Sequence, residues 1–415
     1  MEMKSPLEGI RILDLTIWQM GPQATVMLAD MGAEVIKIEE PKRGDPSRGL
    51  LYKPASETHG LVPYFQVMSR GKRSMTLNLT EEKGREVFYR LVEKADVVTQ
   101  NWRVGVAEKL KVDYPTLCRY NPNIILVSAT SYGLKGPDAA IGSTDISGVS
   151  RSGLTWFHSR SIPCDTDDIF YTLVCEGDAL GAIMTAYAAL LGVIARERHG
   201  VGQHVEVSQL ASVMWLQTLP LGIYLIQRDN LPAYKRKTGT NFTWQHYRCG
   251  DNKWICLANP QPQITFPRLL RILGLSEFEK DPRFPKIRDG LAHLGGADVD
   301  FSLDDVRSMI EKAFLKKTTT EWMPLLLAED IDCCYVNDYE GLENDPQVVA
   351  NEYITEVMHQ SGVPLKMLGI PVKLSKTPGR IRGAAPEFGQ DTEEVLLEAG
   401  YTWEQIGDMR AGGIL

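Results

Sequence analysis

Near the middle of the chain, Glu176-Gly177-Asp178 stands directly ahead of a run rich in Ala, Leu, Ile and Met. An aspartate at a helix start can satisfy free backbone N–H groups as a cap. The same N–H groups and the helix dipole favour its ionised carboxylate, and Gly177 removes side-chain bulk, so a ligand could approach and be attacked. Both readings of Asp178, cap and nucleophile, are open at this level. Basic residues recur after short apolar runs: Lys42-Arg43, Arg70-Gly-Lys-Arg73, and Arg103 with Lys109 beyond Asn101-Trp102. At the carboxyl ends of parallel strands such groups would meet phosphates, and elsewhere they are solvated charge. The segment Ile17-Trp-Gln-Met-Gly-Pro-Gln23 lacks GxGxxG spacing, so a nicotinamide cofactor is not expected. There is no phosphate-binding GxxxxGK[ST] loop, HExxH pair or EF-hand spacing, and the seven histidines do not cluster, so no metal is expected.

The elements that would position these residues follow from the hydrophobic pattern. Ile10–Thr16, Glu34–Glu39, Ser74–Leu79, Asp96–Gln100 and Ile124–Ala129 read as strands, with helices at Pro22–Met31, 81–94 and 105–120. This βαβ rhythm predicts a mostly parallel, helix-covered sheet in an α/β fold. Long helices are predicted over Asp178–Arg198, stopped by Gly200 and Gly202, and over Val207–Arg228. A change of pattern marks a smaller second domain at 229–325, with a strand at Trp254–Leu257 and helices near 264–274 and 303–328. The expected division is 1–228, 229–325 and 326–415, the last rejoining the first and ending in a helix near Thr392–Ala399.

At 415 residues, with 43% hydrophobic and 24% charged residues, the chain can bury a large core. Its net charge of −8 argues against binding nucleic acid or an anionic membrane. No apolar run is read as approaching the roughly 18 residues of a membrane span, and no signal segment is seen, so a cytoplasmic protein is expected. The seven cysteines form no CxxC pair and suit reduced thiols.

Taken together, several segments resemble family III CoA-transferases, the group that includes carnitine and formate/oxalate CoA-transferases. They are Leu7–Thr16, Met20-Gly-Pro22, Leu28–Glu39 with Gly44-Asp45 and Arg48, Arg70–Ser74, Asn101, Ser131-Tyr-Gly133, Asp145–Gly153, Gly177-Asp178, Gly200–Gln203, Asn344-Asp-Pro346 and Ala385-Pro386. The resemblance implies a Rossmann-like large domain built from both chain ends, a small domain, and two interlocked subunits. It implies no permanently bound cofactor, with coenzyme A passing between an acyl-CoA and a free carboxylic acid by way of mixed anhydrides and an aspartyl-CoA thioester. Asp178 would be the nucleophile, Gln19 and Met20 would lie near the thioester, and Asp145 would be a second active-site carboxylate. Arg70, Lys72, Arg73, Asn101, Trp102, Arg103 and Lys109 would hold the CoA phosphates and adenine.

The chain departs from the family pattern at several points. Val149 stands where a glutamine is often found, and Glu40-Pro41 replaces a basic residue that some members use for CoA. The glycine-rich loop of formate/oxalate enzymes corresponds to Lys235–Asn241, which has one glycine, so a bulkier aryl or alkyl acid is expected. Trp18, Trp102, Trp156, Phe157 and Trp244 could line its pocket or pack in the core. An α-methylacyl-CoA racemase is the alternative within the family, but Thr144 precedes Asp145 where racemases resemble one another in a histidine, and threonine is no base near neutral pH. A homodimer, or a heteromer with a paralogous subunit, is expected.

Overall fold

The computed structural model describes residues 4–50, 53, 57–160, 169, 171–172, 174–231, 241–259, 261–284 and 303–415. Six strands form one parallel sheet: β1 (Arg11–Asp14), β2 (Glu34–Glu39), β3 (Arg73–Thr76), β4 (Val97–Gln100), β5 (Ile125–Thr130) and β6 (His204–Ser208), in the order β3-β2-β1-β4-β5-β6. Strands β1, β2, β4 and β5 are buried nearly throughout, as expected where both faces of a parallel sheet are covered. Ile12, Val35, Val97 and Ile125 pack against Met20–Asp30 and Glu176–His199. Their neighbours Leu13, Ile36, Val98 and Leu126 share a core with Phe88, Leu91, Val395, Leu396 and Ile406. The C-terminal helices Thr392–Glu398 and Trp403–Ala411 thus cover the same sheet as the first strands.

The chain divides into two compact units, Met1–Leu154 with Tyr171–Gln217 and Asn351–Leu415, and Thr155–Phe170 with Thr218–Ala350. The second holds the antiparallel sheet β7 (Trp244–Arg248), β8 (Trp254–Ala258) and β9 (Cys333–Val336) over a core that includes Phe266, Phe314 and Trp322. A hairpin, β10 (Ile354–Met358) with β11 (Pro364–Leu368), belongs to the first unit. The sequence-based boundary at 325/326 therefore falls inside the second unit, because β9 completes a sheet with β8.

Other differences have local causes. The helix expected at 105–120 is two single turns, Val106–Lys109 and Tyr114–Leu117, separated where Lys111 takes φ +57° and Asp113 caps the second. The helix expected over Val207–Arg228 begins as β6 and continues as two separate helices, Gln209–Leu216 and Thr218–Gln227. The span 303–328 is two helices, Asp304–Phe314 and Thr319–Ala328, the second opened by a Thr318/Glu321 capping box. Contrary to the reading of the apolar runs, Glu176–His199 is long and apolar enough to cross a membrane by length and composition. In this fold its Ala182, Ala186 and Ala189 are buried against the sheet.

A buried ionic network ties the loops at the carboxyl ends of the first strands. Lys72 is bonded to Asp14 (3.0 Å) and to the Pro22 carbonyl (2.9 Å), and Asp14 also accepts from the Thr16 and Thr25 hydroxyls. Lys37 pairs with Asp45 (2.7 Å) and donates to the Thr16 carbonyl (2.7 Å). Burial would raise the Asp14 carboxyl, but the two ammonium groups outweigh it and hold it well below the usual range. Burial brings Lys72 down to about 8. Removing one member of such a pair strands the other charge. Lys72→Ala should therefore cost about 3–5 kcal/mol, read as a lowered melting temperature, whereas a solvated phosphate ligand could be removed with little effect.

Candidate active site

The helix Glu176–His199 starts from Cys175, a non-glycine residue at φ +56° that caps without a side-chain hydrogen bond. Asp178 is the third residue of the first turn. Its own N–H, one of the orphan donors of a helix start, is taken instead by a carboxylate from another helix, Asp145 Oδ1 at 2.7 Å. Asp145 is itself the first residue of Asp145–Arg151, is buried, and accepts the Tyr171 hydroxyl on Oδ2 at 2.5 Å. On the Asp178 side chain, Gln209 Nε2 donates to Oδ1 at 2.7 Å. The other oxygen, Oδ2, accepts no hydrogen bond among the described residues.

Close approach requires small residues here. A Cβ on Gly177 would stand 3.0 Å from Asp145 Oδ1, 3.1 Å from Val149 and 3.2 Å from Gln209, so Gly177 lets three side chains close around Asp178. Val149 makes this wall apolar. Burial first, and the Asp145 carboxylate second, push the Asp178 carboxyl up to about 7, against the opposing pull of the Gln209 hydrogen bond. Cys175, beside both carboxylates, has its thiol raised by burial and by their charge.

Gln19 and Met20 come to the same helix. Met20 Cε lies 2.8 Å from where a Cβ of Gly181 would be, one turn beyond Asp178, and Met20 opens the helix Met20–Asp30 that packs on Glu176–His199. Gln19 is buried and accepts the Tyr64 hydroxyl at 3.2 Å. The turn ahead of them is held tightly. Asn101 accepts the Ile17 N–H (2.9 Å) and donates to its carbonyl (2.8 Å), while Asp45 accepts the N–H of Trp18, which sits at φ +66°. Strained non-glycine residues thus flank both Gln19 and Asp178.

The expected phosphate ligands separate into two groups. Arg103 and Lys109, after β4, are exposed. Arg70, Lys72 and Arg73 have partners within the chain: Arg70 pairs with Asp30 (2.6 Å), Lys72 with Asp14, and Arg73 with Glu34 (2.7 Å) and Glu398 (3.0 Å). Arg73 shares a surface concavity with Arg11 and Glu34, the first residues of β1 and β2. Asp178 belongs to the opposite edge, since near the far end of its helix Arg196 pairs with Asp96, just ahead of β4. Asn101 spends its amide on Ile17, and Trp102 packs against the sheet core rather than standing free. Trp18 is exposed, as are Trp156 and Trp244 in the second unit. Of the stretch Lys235–Asn241, residues 235–240 lie outside the described residues.

Sequence reasoning passed over Tyr171 and Gln209. Neither sits in a spacing motif; a polar residue opening the helix after Ser208, which accepts the Ala211 N–H, reads as a cap neighbour.

The raised carboxyl of Asp178 has a consequence for stability. Its folded value, about 7, lies above that of an unfolded aspartate, so the stability it contributes is present at low pH and is lost as pH rises toward 7. Asp178→Asn should therefore gain melting temperature relative to wild type between about pH 4 and pH 7 and hold that gain at pH 8. Parallel melting curves across the range test this.

Comparison with known proteins agrees with this architecture. The model of CoA-transferase family III matches residues 7–392. An acyl-CoA transferase of Fusarium pseudograminearum is 29% identical over 99% of this chain and 88% of its own length. The cinnamoyl-CoA:phenyllactate CoA-transferase of Clostridium sporogenes is 27% identical over 97% and 95%. A crystal structure of Rv3272 from Mycobacterium tuberculosis, 26% identical, superposes with a TM-score of 0.76 over 94% of this chain and 99% of that one. The family match spans most of the chain, and the chain belongs to CoA-transferase family III.

Proposed function

We propose that this CoA-transferase moves coenzyme A from an acyl-CoA to a free carboxylic acid through a covalent intermediate on Asp178. The observation that carries the reading is the setting of that carboxylate: first turn of an apolar helix, Oδ1 held by Gln209, Oδ2 without a hydrogen bond among the described residues. In the first step Oδ2 attacks the thioester carbonyl; a C–O bond forms, the C–S bond breaks and CoA leaves as thiolate. The thiolate then attacks Asp178 Cγ, expelling the donor acid as carboxylate and leaving aspartyl-CoA. The acceptor carboxylate attacks the same carbon, releasing thiolate and forming a second anhydride. Attack of the thiolate on the acceptor acyl carbon yields the new acyl-CoA and restores Asp178.

A carboxyl near 7 is a stronger nucleophile, once ionised, than an ordinary aspartate. Asp145 raises it and also fixes the backbone N–H of Asp178, while Val149 and Met20 keep the surroundings apolar, which matters because an anhydride is lost to water. Gln19 lies at the same helix pair. Arg103 and Lys109, exposed beyond β4, are the proposed phosphate ligands, and the parallel order β3-β2-β1-β4-β5-β6 supports a Rossmann-like reading of the sheet. Exposed Trp18 in the β1 loop supports an aryl or alkyl acid, the class that the name of the phenyllactate enzyme describes. The exposed stripe Ile183, Tyr187, Leu191 and Ile194 supports an interlocked homodimer or a heteromer as the partner arrangement. Free Cys118, Cys175, Cys249, Cys256, Cys333 and Cys334 support a reducing, cytoplasmic setting.

The purified protein should transfer CoA from acetyl-CoA or succinyl-CoA to at least one member of a panel of aryl and alkyl acids. Its kcat/KM should rise with pH along a limb near 7 as Asp178 ionises, and Asp178→Asn should be inactive. Transfer by Asp178→Asn at the wild-type rate would contradict the mechanism, and uptake of solvent deuterium at the α-carbon of a 2-methylacyl-CoA would favour a racemase instead.

A further inference from the structure

Gln209 has no part in the bond-making and bond-breaking steps proposed above. It is the first residue of Gln209–Leu216, directly after the last strand of the parallel sheet, and it is buried. Its Nε2 reaches Asp178 Oδ1 at 2.7 Å, and its amide lies against Gly177 and over the backbone of Gly148, where a Cβ would stand 1.9 Å from Oε1. Oε1 has no hydrogen-bond partner among the described residues. A buried amide that leaves its acceptor unsatisfied costs stability, so its donor interaction with Asp178 must outweigh that loss or serve the chemistry.

We infer that Gln209 is a catalytic residue, the hydrogen-bond donor that stabilises negative charge on the Asp178 carbonyl oxygen each time that carbonyl is attacked. The inference rests on the proposed role of Asp178 as nucleophile. Oδ2, the oxygen without a hydrogen bond, attacks the donor and becomes the bridging atom of the anhydride. Oδ1, already held by Gln209, becomes the carbonyl oxygen. When CoA thiolate adds to Cγ, the C–S bond forms and the carbonyl electron pair moves onto Oδ1, facing the Gln209 N–H. Collapse restores the C=O bond and breaks Cγ–Oδ2, so Oδ2 departs with the donor acyl group as its carboxylate. The acceptor acid then attacks the same carbon, and the charge returns to the same oxygen. One fixed donor therefore serves both steps at Cγ without moving, the arrangement in which preorganised hydrogen bonds act most strongly. The tight fit of Gln209 over Gly148 supplies the preorganisation.

Three variants test this against a merely structural role. Gln209→Leu keeps the bulk and removes the donor; Gln209→Glu keeps the shape but replaces the donor with an acceptor; Gly148→Ala leaves Gln209 in the sequence but drives its amide from Gly148. Removing one such donor should lower kcat on the order of 10²-fold, with KM for the acyl-CoA nearly unchanged, because the lost interaction is made in the transition state. The acidic limb of the pH profile should also move upward in Gln209→Leu, since this hydrogen bond is what opposes the rise of the Asp178 carboxyl. In a single turnover with acyl-CoA, formation of aspartyl-CoA should slow in proportion to kcat. If Asp178→Asn is inactive while Gln209→Leu keeps wild-type kcat and an unshifted limb, this inference falls and the nucleophile stands. If Asp178→Asn itself transfers CoA, the underlying reading falls with it. A loss in Gln209→Leu that appears only as a lowered melting temperature, with kcat per folded enzyme unchanged, also overturns it.

Discussion

The fully buried pair of Lys72 and Asp14 fixes the part of the fold on which the site depends. Asp14 ends β1 and gathers Thr16, Thr25 and the Lys72 ammonium, while the neighbouring Lys37 holds the Thr16 carbonyl and Asp45. Asp45 in turn accepts the Trp18 N–H, and Asn101 brackets Ile17 from β4. The turn from Thr16 to Met20 is thus tied to β1, β2, β3 and β4 by buried polar groups. Buried ion pairs add little net stability over apolar packing, but they tolerate no rearrangement without stranding a charge. For a turn that must hold a left-handed Trp18 and present Gln19 beside a second helix, that intolerance is the useful property.

The second helix obeys a different constraint. A carboxylate in the first turn of Glu176–His199 should be favoured by the helix dipole, yet burial and the Asp145 charge overcome that preference and leave Asp178 near neutrality. Each neighbour has a separate part in this. Asp145 satisfies the backbone and raises the carboxyl; Tyr171 occupies the other Asp145 oxygen; Gln209 orients Oδ1; Gly177 makes room for all of them. The outcome is a carboxylate with one oxygen bonded to Gln209 and the other without a hydrogen bond among the described residues.

How much of this could be read from the residues depended on range. Strand and helix periodicity is local, so β1 to β5, the Met20–Asp30 helix and the Asp178 helix were legible, and Gly177-Asp178 drew attention by type and position. Strands β6 and β7 were not, because His204–Ser208 is absorbed by the apolar pattern of the helices that follow it and Trp244–Arg248 shows its alternation only once paired with β8. The partners of the basic cluster Arg70–Arg73 were not legible for another reason: a sequence reports charge but not its partner, and Asp30, Asp14, Glu34 and Glu398 come from as far as 325 residues away. Gln209 and Tyr171 reach the two aspartates only through tertiary packing across 31 and 26 residues, and no spacing rule joins them.

The proposed reaction turns on one atom group, the Asp178 carboxylate, as the point where CoA would be held between its two acids. The most direct measurement is the intact mass of the protein after brief incubation with an acyl-CoA and no acceptor, followed by peptide mapping after hydroxylamine. The account predicts a covalent CoA adduct on wild-type protein, converted by hydroxylamine to a hydroxamate on the single peptide that contains Asp178, and no adduct on Asp178→Asn. An adduct on another peptide, or active wild-type protein that never carries one, would contradict it.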